Sequence, residues 1–257
     1  MNKLDQLFLQ RQRPVLNMYC TAGFPSLEST TEVMLSLQRH GADIIEVGIP
    51  YSDPVADGPV IQQSNMQALA NGISIQKIFE QLYKTRDSIK IPVILMGYLN
   101  PVLQYGIRRF CEDAEAAGIS GIILPDLPMH EYETLYKDVF KEHGLHVIFL
   151  VTPVTSEQRI RKADKLSGGF LYAVSSSATT GQQTSFAEQE GYFKGLQEMK
   201  LKNPVLIGFG IRDKATFDAA AKHASGAIIG SAYIKALQSA TDIDTVTRDF
   251  INSIKNN

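Results

Sequence analysis

Residues 43–62 read DIIEVGIPYSDPVADGPVIQ, and this stretch decides the fold class. It begins with an apolar, β-branched run, passes through a loop containing three prolines, and ends in a helical pattern over 58–70. The same order, a strand-like run and then a helical pattern, recurs along the whole chain. Strands and helices that alternate without hairpin signals predict parallel strands joined by right-handed crossovers.

Eight such units fill the chain. Their strand runs begin near Val15, Asp43, Ile91, Ser120, His146, Gly169, Pro204 and Gly226. Further helical patterns cover 28–40, 75–89, 107–117, 131–143 and 213–223. We therefore predict an α/β protein, a single-domain (β/α)8 TIM barrel over residues 1–257, with a short N-terminal helix and an extra helix after the second strand. An open doubly wound sheet is the alternative, but CTAGFPS (20–26) does not supply its usual phosphate loop.

Composition excludes several functional classes. Lys and Arg number 25 against 27 Asp and Glu, and the net charge of −2 excludes a broad basic surface for nucleic acid or anionic lipid. Cys20 and Cys111 lack the CxxC spacing of zinc ribbons and offer no disulfide framework, which is typical of a reducing cytosol. No segment approaches the ~20 apolar residues of a membrane span, and residues 1–14 lack the apolar core of a signal peptide. We expect a cytoplasmic protein.

Carboxylates of the second unit are the first candidate site, since loops after the strands form the active face of a barrel. Glu46 lies inside an apolar strand, where a carboxylate is unfavourable unless it is paired or protonated. A structural reading makes Glu46 a partner of a neighbouring strand, Asp53 a turn residue and Asp57 a helix N-cap. Several carboxylates from one unit instead favour acid–base chemistry, with burial raising one pKa while another group stays ionised.

Glycine turns after the last two strands are the second candidate site. They are IGFGIRD (207–213) and IIGSAY (228–233), each running directly into a helix. Glycine allows close backbone approach, and N–H groups at a helix start bind phosphate. Either turn alone is a weak signal, but these two loops are the usual phosphate site of a barrel. Together they predict a phosphorylated substrate.

The polar stretch SSSATTGQQTSFAEQ (175–189) follows the sixth strand. It is either an ordinary surface loop or a lid that closes over substrate and excludes water. Lys235 reads as a helix surface residue, and the absence of a lysine within the strands argues against a Schiff-base aldolase.

The segment EVGIPYSDPVADGPVIQ (46–62) resembles the signature of the tryptophan synthase alpha subunit family. Similar segments recur over essentially the whole chain: TAGFP (21–25), ALANG (68–72), YLNP (98–101), GIILPDLP (121–128), GFGI (208–211) and GAIIGSAYIK (226–235). The resemblance implies a lyase of L-tryptophan biosynthesis. Such an enzyme cleaves indole-3-glycerol phosphate to indole and glyceraldehyde 3-phosphate by a retro-aldol reaction, without a metal or organic cofactor in this chain.

The resemblance also implies residue roles. Asp57 would bind the indole N–H and balance positive charge on the ring, while Glu46 would protonate C3 and accept a proton from the glycerol hydroxyl. The residues implied around the substrate are Tyr172, Tyr19, Met96, Leu124, Leu127 and the lid threonine Thr180. Those implied to bind phosphate through the backbone are Gly181, Gly210, Gly230 and Ser231.

The lid departs from the family pattern, because Ser176 and Ala178 replace an arginine and a glycine. The family also works in a complex of two alpha and two beta subunits, so the resemblance implies a beta partner that carries pyridoxal phosphate. Two alternatives remain open: a stand-alone indole-3-glycerol-phosphate lyase, and a weakly catalytic barrel that acts mainly as an allosteric partner of the beta subunit.

Overall fold

The computed structural model describes residues 1–174, 186–208 and 210–255. Its strands form a single sheet in which every pair is parallel, with the order β5-β4-β3-β2-β1-β9-β8-β7-β6. The strands are β1 (Val15–Thr21), β2 (Ile44–Gly48), β3 (Val93–Met96), β4 (Gly121–Ile123), β5 (His146–Val147), β6 (Leu150–Val151), β7 (Leu171–Val174), β8 (Val205–Gly208) and β9 (Gly226–Ile229).

Strands β5 and β6 are two pieces of one extended segment that closes the sheet into a ring. β5 pairs with β4, whereas β6 pairs with β7. Between them, the Ile148 N–H donates to the Ile122 carbonyl at 2.9 Å, and the Phe149 carbonyl accepts from the Tyr172 N–H at 3.1 Å. The run at 146–153, predicted as one strand, is divided because its backbone changes partner part-way along. The predicted TIM-barrel fold is confirmed.

Helices follow the strands as the alternating pattern predicts. They are α1 (Lys3–Gln10), α2 (Ser29–His40), α3 (Pro59–Ala70), α4 (Ile75–Thr85), α5 (Leu99–Tyr105), α6 (Ile107–Ala116), α7 (Met129–Glu131), α8 (Lys137–Glu142), α9 (Glu157–Leu166), α10 (Phe186–Glu198), α11 (Lys214–Ala221), α12 (Ser231–Gln238) and α13 (Ile243–Lys255), with a π-helical turn at Tyr132–Tyr136 between α7 and α8. Both α3 and α4 lie between β2 and β3, so the extra helix of the second unit is confirmed. No helix in these ranges is long and apolar enough to span a bilayer.

Helix α1 covers the end of the barrel where the strands begin. Asn2 caps it, accepting from the Leu4 N–H at 2.8 Å, and its Nδ2 donates to the Ser120 carbonyl at 2.8 Å. Leu4 is fully buried against Gly121 and Gly169, where an added Cβ would lie 3.2 and 3.0 Å from its Cδ1. Because α1 fills this end, the opposite end, where the strands finish, is left for a site.

Candidate active site

A cavity of about 430 Å³ lies at the carboxyl end of the strands. Residues from β1, β2, β3 and β7 and from the loops after β2, β8 and β9 line it. Eight residues singled out from the sequence are among them: Tyr19, Glu46, Asp57, Met96, Tyr172, Gly210, Gly230 and Ser231. The structure therefore brings both carboxylates and both glycine turns into one space.

Glu46 lies in the middle of β2 and is 1% exposed. Its neighbours in the sheet are Tyr19 of β1 and Ile94 of β3. The Asn17 amide donates a hydrogen bond of 2.7 Å to Glu46 Oε2. Burial raises the pKa of Glu46 to about 8, the Asp57 charge adds to this, and the Asn17 hydrogen bond opposes it. Glu46 is therefore protonated at neutral pH and able to act as an acid.

Asp57 lies on the loop between β2 and α3, closer to the mouth of the cavity. The Tyr98 hydroxyl donates to Asp57 Oδ2 at 3.2 Å and accepts from the Ala56 N–H at 3.0 Å. Burial raises the pKa of Asp57 to about 6, while hydrogen bonds from Tyr98 and Asn65 limit the rise. Gly58, not Asp57, occupies the N-cap of α3. Asp57 thus lines the cavity and does not cap the helix.

Two buried tyrosines stand beside the carboxylates, each opposite a glycine. An added Cβ at Gly48 would lie 2.1 Å from the Tyr19 hydroxyl, and one at Gly208 would lie 2.2 Å from the Tyr172 hydroxyl. Burial raises the pKa of both phenols well above the ordinary value, so both are neutral. The glycines give the tyrosine hydroxyls the space to reach the interior of the barrel.

The far side of the cavity has the character of a phosphate site. Helix α12 begins at Ser231, and Gly230 at its N-cap contributes no side-chain cap, so the first N–H groups remain available to a ligand. Gly210, at a φ of +75°, lines the same side after β8. The side chains of Arg212 and Lys235 also line the cavity. Lys235 is exposed on its helix, as expected.

Four predicted site residues are not in this group. Leu124 and Leu127 are buried and line a neighbouring cavity of about 190 Å³ beside Phe149. Thr180 and Gly181, and with them the predicted lid residues Ser176 and Ala178, lie outside the described residues.

Comparison with known proteins agrees with this geometry. A sequence model of the family described as "Tryptophan synthase alpha chain" matches residues 6–256. The chain belongs to this family. The tryptophan synthase alpha chain of Bacteroides thetaiotaomicron is 49% identical over 243 residues, covering 94% of this chain and 95% of that protein. That of Flavobacterium johnsoniae is 50% identical over 238 residues, covering 92% and 94%. The crystal structure of tryptophan synthase subunit alpha from Legionella pneumophila superposes with a TM-score of 0.88 at 35% identity, covering 99% of this chain and 97% of that one.

Three residues that support the carboxylates were not found from the sequence of this family member. Asn17 contacts Glu46, whereas Tyr98 and Asn65 contact Asp57. A signal existed for Asn17, which is a polar residue inside the apolar run VLNMYCT (15–21), just as Glu46 is inside its own strand. Tyr98 and Asn65 gave no comparable signal, because a tyrosine after a strand and an asparagine on a helix are both common.

Proposed function

We propose that this chain cleaves indole-3-glycerol phosphate to indole and glyceraldehyde 3-phosphate, with Glu46 and Asp57 as its acid–base pair. As a member of the tryptophan synthase alpha chain family, the chain is a carbon–carbon lyase of tryptophan biosynthesis. The roles of the individual residues are our proposal. The observation that supports them best is the pair of carboxylates with different environments inside one cavity.

The reaction needs two proton transfers around one carbon–carbon bond. Glu46, as the carboxylic acid, gives its proton to C3 of the indole ring, and the ring nitrogen becomes positively charged. The Glu46 carboxylate then removes the proton from the hydroxyl on the adjoining glycerol carbon. The electron pair that the proton leaves on the oxygen forms the second bond of the aldehyde carbonyl, the bond between that carbon and C3 breaks, and its electron pair neutralises the ring. Glu46 ends the cycle protonated, as it began.

Asp57 serves this step as an anion. Its carboxylate accepts a hydrogen bond from the indole N–H and balances the positive charge that the ring gains. This interaction strengthens towards the transition state. The ionisation states match this division, since Asp57 has a pKa of about 6 and Glu46 of about 8. Between these values Asp57 is ionised while Glu46 is protonated. We therefore expect kcat/KM to be highest between about pH 6 and pH 8.

The remaining lining residues orient the substrate. Backbone groups of Gly210, Gly230 and Ser231 would bind the phosphate, with Gly181 completing the set. Tyr19, Tyr172 and Met96 would surround the indole, and Thr180 would close over it. Leu124 and Leu127, which line the neighbouring cavity, remain proposed contacts of the indole.

We propose further that a beta subunit docks against residues 50–62 in a complex of two alpha and two beta subunits. Val55 projects from this loop with 76% of its surface exposed. The loop connects to the site, because Tyr98 contacts the Tyr51 ring, the Ala56 N–H and the Asp57 carboxylate. Contact with a partner would therefore act on Asp57. In this scheme pyridoxal phosphate belongs to the beta subunit, and the alpha chain needs no cofactor.

A lyase assay tests the acid–base assignment. Glu46→Gln should lower indole release from indole-3-glycerol phosphate by ~10²–10⁴-fold, because the amide performs neither proton transfer. Circular dichroism verifies the fold of the variant, and Glu112→Gln, on the exposed side of α6, is the matched control. A folded Glu46→Gln chain with wild-type turnover would remove Glu46 from the mechanism.

A further inference from the structure

Asn17 is a polar side chain deep inside the barrel, below the cavity that holds the carboxylates. It is 0% exposed in β1, whose seven residues are all buried. Its Nδ2 donates to Glu46 Oε2 at 2.7 Å. Its other polar atom, Oδ1, is buried without a hydrogen-bond partner among the described residues.

Fold stability does not account for this arrangement. A buried amide with one unsatisfied oxygen is unfavourable, and an apolar side chain of similar shape would avoid that penalty. The two strands that flank β1 at this level present Ile44 and Ile228, both apolar. The asparagine at this position is therefore explained by its hydrogen bond to Glu46.

We propose that Asn17 is a positioning residue that holds the Glu46 carboxyl through both of its protonation states. Towards the carboxylate the amide donates through Nδ2, as in the structure. Towards the carboxylic acid, a half-turn of the amide presents Oδ1, which accepts the acid proton. An asparagine amide carries both kinds of group, whereas an apolar residue carries neither. The inference rests on the proposed function, in which Glu46 gives one proton and takes another within each turnover.

Of the groups that act on the pKa of Glu46, Asn17 favours the carboxylate and Asp57 disfavours it. Asp57 is the charged neighbour that acts on Glu46, and its negative charge disfavours the carboxylate. Tyr19 and Tyr172 also lie close to Glu46, and burial raises the pKa of each, so both are neutral. The Asn17 N–H therefore favours the carboxylate in surroundings that otherwise disfavour it.

A titration that does not depend on turnover tests this contact. In the ligand-free chain, carboxyl-¹³C-labelled glutamate reports the protonation of Glu46 by NMR, with its signal assigned by loss in Glu46→Gln. In Asn17→Leu the Glu46 midpoint should move up by about one pH unit, because the carboxylate has lost a charge-assisted hydrogen bond. Asn17→Ser, which removes the amide without adding bulk, is measured in parallel so that the result does not depend on the folding of one variant.

Kinetics then test the role in the reaction. Both variants should lose roughly tenfold or more in kcat while KM stays nearly constant, and the basic limb of the kcat/KM profile should move to higher pH. Thr247→Val is the matched control, since it removes a buried hydrogen bond to Tyr233 elsewhere in the barrel. It should lower the melting temperature without moving the pH profile, whereas Asn17→Leu should move the profile.

The outcomes separate this inference from the proposed function. A wild-type chain with no lyase activity overturns the proposed function. An active wild type whose Asn17 variants keep the Glu46 midpoint, the kcat and the basic limb overturns the role of Asn17 alone.

Discussion

Replacement of Glu46 by glutamine should make the protein more stable as well as inactive. Burial raises the pKa of Glu46 from an ordinary 4.5 to about 8. Over that window the folded chain keeps a proton that the unfolded chain releases, so the free energy of unfolding falls as pH rises. The glutamine side chain of the variant has no proton to lose, so its unfolded state gains nothing from the higher pH.

The size of the effect follows from the same values. Each pH unit within the window between 4.5 and about 8 is worth about 1.4 kcal/mol. Because Glu46 is 1% exposed, solvent screening does not reduce this contribution much. Between pH 5.5 and pH 7.5, the stability advantage of Glu46→Gln over the wild type should therefore grow by about 3 kcal/mol. Asp57 titrates in both proteins, so its contribution to the pH dependence of the free energy of unfolding largely cancels in the comparison.

Urea unfolding followed by circular dichroism at pH 5.5, 6.5 and 7.5 measures the difference. The exposed Glu112→Gln control should stay within about 0.5 kcal/mol of the wild type at each pH. An advantage of Glu46→Gln that is constant across the three values would mean that Glu46 is ionised in the folded chain. The carboxyl could then not be the acid that protonates the indole ring, and the mechanism would be refuted.

Further outcomes are expected for four other substitutions and for the addition of a beta subunit. Asp57→Asn should lower kcat far more than it raises KM, because the lost interaction strengthens in the transition state; steady-state kinetics with indole-3-glycerol phosphate decide this. Gly208→Ala should lower kcat by displacing the Tyr172 ring, since the new Cβ would lie 2.2 Å from its hydroxyl. The contrasting Gly195→Ala, on α10 with nothing within 4 Å, should leave kcat unchanged and raise the free energy of unfolding by up to ~1 kcal/mol. Ser231→Val should weaken inhibition by inorganic phosphate, because its bulk crowds the N–H groups at the start of α12; unchanged inhibition would move the phosphate elsewhere. Adding a beta subunit should raise indole formation about tenfold or more, and a flat titration of an already active chain would favour a stand-alone lyase.

Much of the fold could be predicted because the strand runs are apolar on both faces and separated by helical periods. The run DIIEVGIP (43–50) contains β2, and the helical pattern at 28–40 begins one residue before α2 and ends with it. Helix α5 (Leu99–Tyr105) was missed, since a seven-residue helix beginning LNP has too few turns for a periodic pattern. The division of β5 from β6 was also missed, because it depends on which strand each half contacts.

Some positions of the candidate site could likewise be predicted from the sequence, whereas others depend on packing. Glu46 was predictable because a carboxylate in an apolar strand is unfavourable without a compensating role, and the glycine turns were predictable because they begin helices. The detailed placement of Leu124 and Leu127 could not be predicted. They lie after the fourth strand and line a neighbouring cavity, and packing decides which side of a loop a leucine covers.

The difference between the two carboxylates follows from their depth in the barrel. Glu46 lies on a strand, enclosed by neighbouring strands, so its burial raises the pKa far enough to keep the proton at neutral pH. Asp57 lies on the loop, where hydrogen bonds from Tyr98 and Asn65 restrain the rise and leave the group ionised. An acid and an anion are thus produced from the same functional group, eleven positions apart in one βα unit. Under the proposed mechanism, a swap of their environments would therefore reverse the two roles.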